Sequence, residues 1–156
     1  MVNILWITLP TRVFMAKIFN FNTKVYYEDT DAGGIVYYAN YLKFLERART
    51  ELIYDLGLNH QKLMEDFGFQ IVVSHCDIAF KKPASFEDLL VVKTSIEQLS
   101  VVKIIMKQNI YKLETINKDN KEHLLIEAKV KLACINKESR PSKMPKEALT
   151  LFKSCL

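Results

Sequence analysis

Cysteine is scarce in this chain and badly placed for pairing. Cys76, Cys134 and Cys155 are three in number and widely spaced. That argues against a disulfide framework and for a reducing compartment. No apolar run approaches the roughly 18 residues that a membrane-spanning helix needs. Long blocks of Lys or Arg are also missing. The 22 basic and 18 acidic residues give a formal net charge of +4, a mild bias that suits small anions and does not argue for nucleic acid. The G-x-S-x-G nucleophile elbow and the Walker phosphate loop are absent. There is no Cys-x-x-Cys pair, and His60, His75 and His123 are scattered, so no metal site is expected.

What remains is an ordinary globular composition, 49% hydrophobic and 26% charged in 156 residues, enough for one domain with a substantial core. Residues 1–14 fit that domain poorly. Their apolar stretch is short, Pro10 interrupts it, and the first positive charge, Arg12, follows the apolar stretch instead of preceding it, unlike a signal peptide. We read residues 1–14 as an extension ahead of a translation start at Met15, and 15–156 as the domain. An intact mass of the natively expressed chain tests this.

The periodicity then changes in a telling order. A strand-like run over 24–27 precedes an acidic loop. Asn40 is placed to cap a helix in which Tyr41, Leu45, Ala48, Leu52 and Leu56 recur at three- and four-residue intervals, widened by Leu42, Phe44 and Ile53. Glu46 with Arg49, and Arg47 with Glu51, have the spacing of helix-surface ion pairs. Gly57 ends this helix, and a shorter helical piece covers 61–66. From Gln70 the period becomes two. Val72, Ser74, Cys76, Ile78 and Phe80 share a strand face, as do Leu90, Val92, Thr94 and Ile96. Val102, Ile104, Met106 and Ile110 follow, and then Ile126 through Cys134 on alternate positions. Gln98 to Ser100 and a polar stretch at 117–122 read as the turns between strands. Pro145 opens a last short helix. One long helix and about four one-sided strands with short turns predict an α+β domain whose antiparallel sheet wraps the helix.

The chemistry is expected between residues 25 and 41. Glu28, Asp29 and Asp31 stand beside the pair Gly33-Gly34, and the N-terminus of the long helix follows. A carboxylate facing unpaired helix N–H groups is the arrangement acyl transfer requires, a base or nucleophile opposite an oxyanion site. By residue type alone, Asp31 equally suits ordering the turn before the helix, and the N–H groups of 34–38 equally suit helix initiation. The dense tyrosines (Tyr26, Tyr27, Tyr37, Tyr38, Tyr41) suit a core or an interface. Lys81 and Lys82, at a strand end, could meet a phosphate or simply face solvent. Cys76 and Cys134 fall on apolar faces as small hydrophobes.

Asp29-Thr30-Asp31, Gly33-Gly34-Ile35-Val36-Tyr37-Tyr38, Asn40-Tyr41-Leu42 and Phe44-Leu45-Glu46-Arg47-Ala48-Arg49-Thr50-Glu51 together resemble the 4-hydroxybenzoyl-CoA thioesterase superfamily, and within it the YbgC-like acyl-CoA thioesterases of bacteria. The similarity runs from about Lys24 to Leu151. It implies a hot-dog fold, a homodimer or homotetramer with active sites between subunits, and hydrolysis of acyl-CoA with no metal or redox cofactor. It also implies a cytoplasmic protein, or one peripheral to the inner membrane. Asp31 would be the catalytic carboxylate, acting as nucleophile or general base. The Tyr38 N–H would polarise the thioester carbonyl, Tyr27 would support it, and Lys81 and Lys82 would meet CoA phosphates. Many YbgC-like members carry a histidine, proposed as catalytic, where this chain has Tyr38, so only the main-chain role carries over. Another branch uses a glutamate on the long helix, which makes Glu46 a second candidate. A hot-dog hydratase would need a histidine where Val36 stands. The rival of another class is an acyl-CoA or acyl-carrier-protein binding partner in envelope or phospholipid metabolism.

Overall fold

The computed structural model describes residues 17–116 and 119–156. The proposed extension at 1–14 lies outside them, as do 117–118 of the polar turn.

Five strands, β1 (Phe19–Lys24), β2 (Gln70–Phe80), β3 (Leu89–Leu99), β4 (Lys103–Ile116) and β5 (Asp119–Ile135), form one antiparallel sheet in the order β1-β3-β4-β5-β2. Helix α1 (Asn40–Asp55) is followed by α2 (His60–Glu65), and α3 (Lys146–Lys153) closes the chain. Tyr41, Phe44, Leu45 and Ala48 of α1 pack against Leu90, Val92, Ile110, Ile126 and Ala128 from three neighbouring strands. Leu52 and Ile53 continue the contact with Ile96, Met106, Val130 and the α3 residue Phe152. One helix lies in the concave face of the sheet. This is the α+β hot-dog arrangement that the resemblance implied.

The period-two faces of β3, β4 and β5 are as expected, with Leu90, Val92, Thr94, Ile96, Ile104, Met106, Ile110, Ile126, Val130 and Cys134 buried. Val102 departs from this, since β4 begins at Lys103 and leaves Val102 exposed in the turn before it. In β2 the regular alternation breaks. The register shifts between Val73 and His75, so Ser74 bulges and its hydroxyl donates to the Lys131 carbonyl at 3.0 Å. The bulge changes the phase of the strand, and both Ile71 and Cys76 face the core.

Local polar chemistry corrects four further expectations. The run over 24–27 is not all strand: β1 ends at Lys24 and a single 3-10 turn spans Tyr27–Asp29, because the Asp29 carboxylate accepts from the Tyr26 N–H at 2.9 Å. Asn40 does not cap α1. Ala39 occupies the cap, and the Asn40 side chain points back to the Asp29 carbonyl. Neither helix-surface ion pair forms among the described residues. Glu46 accepts instead from the Thr50 hydroxyl, and Arg49 donates to Gln108 across the core boundary. Leu42 sits on the outer side of α1 and is 46% exposed. Gly57, at φ +75°, ends α1 one residue beyond its cap, a backbone state that glycine adopts without penalty.

Candidate active site

The acidic loop is a miniature hairpin set on the N-terminus of α1. The Tyr37 N–H donates to the Asp29 carbonyl at 2.9 Å, Thr30 bridges Val36, and the Asp31 N–H donates to the Ile35 carbonyl at 2.9 Å. Gly34, at φ +76°, makes the reversal, and its N–H donates to the Asp31 carbonyl at 3.0 Å. Asp31 therefore sits at the tip, exposed, with Oδ1 accepting from the Gly33 N–H at 2.8 Å. One carboxylate oxygen is held by the backbone and the other carries no protein donor among the described residues. Asp29, two positions earlier, is buried and serves the turn.

At the other end of the hairpin the chain enters α1. Among the described residues no acceptor takes the Tyr38 N–H, which leaves a donor at the positive end of the helix, where developing negative charge is favoured. The Tyr38 ring stands 62% exposed, tilted against Tyr37 at 4.7 Å and edge-on to Phe80 at 6.4 Å.

Two open clefts flank the hairpin. One, of about 310 Å³, lies between Tyr38, Tyr41, Ile35 and the segment Phe80, Lys81, Lys82 and Pro83. The other, of about 440 Å³, holds Asp31, Tyr27, Thr30, Gly34 and Phe86. Within the chain, then, Tyr38 meets Lys81 and Lys82, and Asp31 meets Tyr27, but the two sets line different clefts. Lys81 is held at 3.0 Å by Glu127, while Lys82 forms no ion pair among the described residues. Glu46 lies away from both, in a smaller cleft with Arg49 and His60.

Phe86 was not legible as a site residue. It belongs to the β2–β3 connection and stands edge-on to Tyr27 with centroids 5.5 Å apart, walling the Asp31 cleft. A single exposed aromatic in a turn carries no periodic signal. The three histidines lie on separate elements, and among the described residues no three His, Cys, Asp or Glu side chains converge as metal ligands would.

The family model of the thioesterase-like superfamily matches residues 25–152. The chain belongs to this superfamily. Acyl-CoA thioesterase YbgC of Haemophilus influenzae is 38% identical over 135 residues, covering 86% of this chain and 93% of that protein. A probable thioesterase from Bartonella henselae has a crystal structure that superposes with a TM-score of 0.72 at 37% identity, covering 82% of this chain and 99% of that one. The 4-hydroxybenzoyl-CoA thioesterase of Pseudomonas sp. strain CBS-3 shares the fold, with a TM-score of 0.76 at 20% identity over 87% of this chain and 99% of that one. Residues 25–152 of this thioesterase-superfamily chain include the whole hairpin, all of α1 and the two lysines after β2.

Proposed function

We propose that the protein hydrolyses an acyl-CoA thioester to a carboxylic acid and free CoA. The observation that carries this reading is the hairpin itself. It presents the Asp31 carboxylate at its tip and the unpartnered Tyr38 N–H at its helix end. Either water deprotonated by Asp31 or the Asp31 carboxylate itself adds its oxygen to the thioester carbonyl carbon; in the second case water hydrolyses the resulting acyl-Asp31 anhydride after CoA has left, which frees the acid and restores the carboxylate. The Tyr38 N–H stabilises the oxyanion as it forms. The C–S bond then breaks, and the CoA sulfur leaves as thiolate and takes up a proton.

Tyr27, beside Asp31, supports the carboxylate. Lys82, and Lys81 once released from Glu127, neutralise CoA phosphates at the rim of the Tyr38 cleft. No cofactor beyond the substrate's own CoA takes part. The working form is a homodimer or homotetramer. Two features support this: β2 is an eleven-residue edge strand whose other side has no strand partner among the described residues, and Tyr27 is 81% exposed beside the Asp31 cleft in a single chain. A second copy would cover both. The free thiols suit a cytoplasmic enzyme, and acyl carrier protein is an alternative donor of the acyl group. Among the described residues no helix is long and apolar enough to cross a membrane, and association with the inner membrane would be peripheral.

The test is free-thiol release from a panel of acyl-CoAs by the parent and by Asp31→Asn. Turnover in the variant should fall roughly 10²–10⁴-fold. Equal rates would remove Asp31 from the mechanism. A folded parent that binds acyl-CoA or acyl carrier protein without turnover would make the protein a binding module.

A further inference from the structure

A side-chain hydrogen bond ties the Asp31 limb of the hairpin directly to the first residue of α1, and it comes from a residue that the sequence marks only as a helix cap. Asn40 is the first residue of α1, is 8% exposed, and donates from Nδ2 to the Asp29 carbonyl at 2.9 Å. The same carbonyl accepts the Tyr37 N–H at 2.9 Å. It therefore lies at the base of the hairpin, two residues before Asp31 on one limb and opposite Tyr37 on the other. Asn40 itself is two residues beyond Tyr38, and its own N–H donates to the Tyr37 carbonyl at 2.8 Å.

We propose that Asn40 is a positioning residue for thioester hydrolysis, clamping the Asp31 hairpin to the helix end that carries the Tyr38 N–H. This inference rests on the proposed function, since it assumes that those two groups act on one carbonyl. Without the clamp, the Asp29 carbonyl keeps only the Tyr37 N–H among the described residues; the Val36 limb stays tied to the Ala84 carbonyl at 2.8 Å, so it is the Asp31 limb that gains freedom against α1. Displacements near 1 Å cost on the order of 10²-fold in rate when reacting groups must meet in register. Asn40 lines neither of the two clefts, and among the described residues its side-chain hydrogen bond goes to Asp29 and not to Asp31, so its effect belongs to the catalytic step and not to CoA binding.

Asn40→Ala removes the donor, and Asn40→Asp removes it while keeping the shape, so the second variant serves if the smaller side chain unfolds the chain. Thermal melts establish folding first. In the folded variant kcat should fall about 10–100-fold with KM for acyl-CoA within about twofold. In the Asp31→Asn background the same Asn40 change should add little, because the group it positions is already gone. A normal kcat in a folded Asn40 variant, or a full multiplicative loss on top of Asp31→Asn, would overturn the proposal. If Asp31→Asn alone keeps parental activity, it is the assignment of Asp31 in the proposed mechanism that fails, and if the folded parent shows no turnover it is the hydrolase reading; both are distinct from a failure of the Asn40 clamp.

Discussion

The phenolic oxygen of Tyr41 accepts the main-chain N–H of Ala84 at 2.8 Å, deep in the protein. The carbonyl of the same Ala84 accepts the Val36 N–H at 2.8 Å. A single alanine in the β2–β3 connection thus joins α1 to the Asp31 hairpin, with the Tyr41 ring packed edge-on to Phe44 and Phe80.

Tyr41→Phe keeps the packing and orphans the buried Ala84 N–H. It should cost about 1–3 kcal/mol of stability at neutral pH, measured by urea denaturation. Burial pushes the Tyr41 phenol above its ordinary value, and the Ala84 hydrogen bond opposes this only in part. The raised value means that the unfolded chain loses this proton first. The Tyr41 contribution is therefore whole below about pH 10 and is lost as pH rises through the folded value. The parent's stability should fall more steeply above about pH 10 than the variant's. Parallel alkaline curves would show that the phenol is not buried as described.

Gly33 is pressed against the Asp31 carboxylate. A Cβ there would stand 3.0 Å from Asp31 Oδ1, the same oxygen that takes the Gly33 N–H. Gly33→Ala should displace the carboxylate and lower kcat by about tenfold or more with little change in melting temperature. Gly34→Ala has free space around it but a φ of +76°. Its main effect should be a stability loss of about 1 kcal/mol. Steady-state kinetics and melts on the two variants separate these effects, and an undiminished kcat for Gly33→Ala would mean that the Asp31 position is not critical.

Gln108 is fully buried and saturated. It accepts from Arg49 at 2.8 Å and donates to the Leu45 carbonyl and the Thr94 hydroxyl, both at 3.0 Å. Burial already pushes the Arg49 guanidinium below its ordinary value, so losing its carbonyl partner is costly. Gln108→Leu should destabilise by about 2–3 kcal/mol. Gln108→Leu with Arg49→Leu should be less damaging than the sum of the two single changes, by at least about 0.5 kcal/mol. Simple additivity in a double-mutant cycle would contradict the network.

The cysteines should differ in reactivity. Burial pushes the Cys134 thiol up to about 11, which leaves roughly one part in a thousand as thiolate at pH 8. Cys76 is only half-buried, and burial raises its thiol while nearby Arg49 opposes the rise. Iodoacetamide at pH 8, read by peptide mass spectrometry, should label Cys76 well before Cys134. Chaotrope should abolish the difference. Cys134 also makes the fold alkali-sensitive. Its contribution is whole below the ordinary thiol value and is lost as pH rises toward 11.

Much of this protein was legible in one dimension, because burial imposes a repeat. The three- and four-residue spacing from Tyr41 to Leu52 and the alternation in β3, β4 and β5 follow from which side of each element meets the core. The pattern from Asp29 to Glu51 carried the family, and with it Asp31 and the Tyr38 N–H as candidates. Only the tertiary structure decided where the polar side chains went. Arg49 is spaced to pair with Glu46 one turn away, yet it reaches Gln108, 59 residues along the chain. Asn40 has the chemistry of a cap, yet it turns back to a carbonyl 11 residues earlier. Ser74 resembles its neighbours in an alternating strand, but the bulge that reverses the phase arises from pairing with β5. For Arg49, Asn40 and Ser74 the partner is whichever group the packed chain brings within about 3 Å, and sheet register and helix docking set it, not neighbours in sequence.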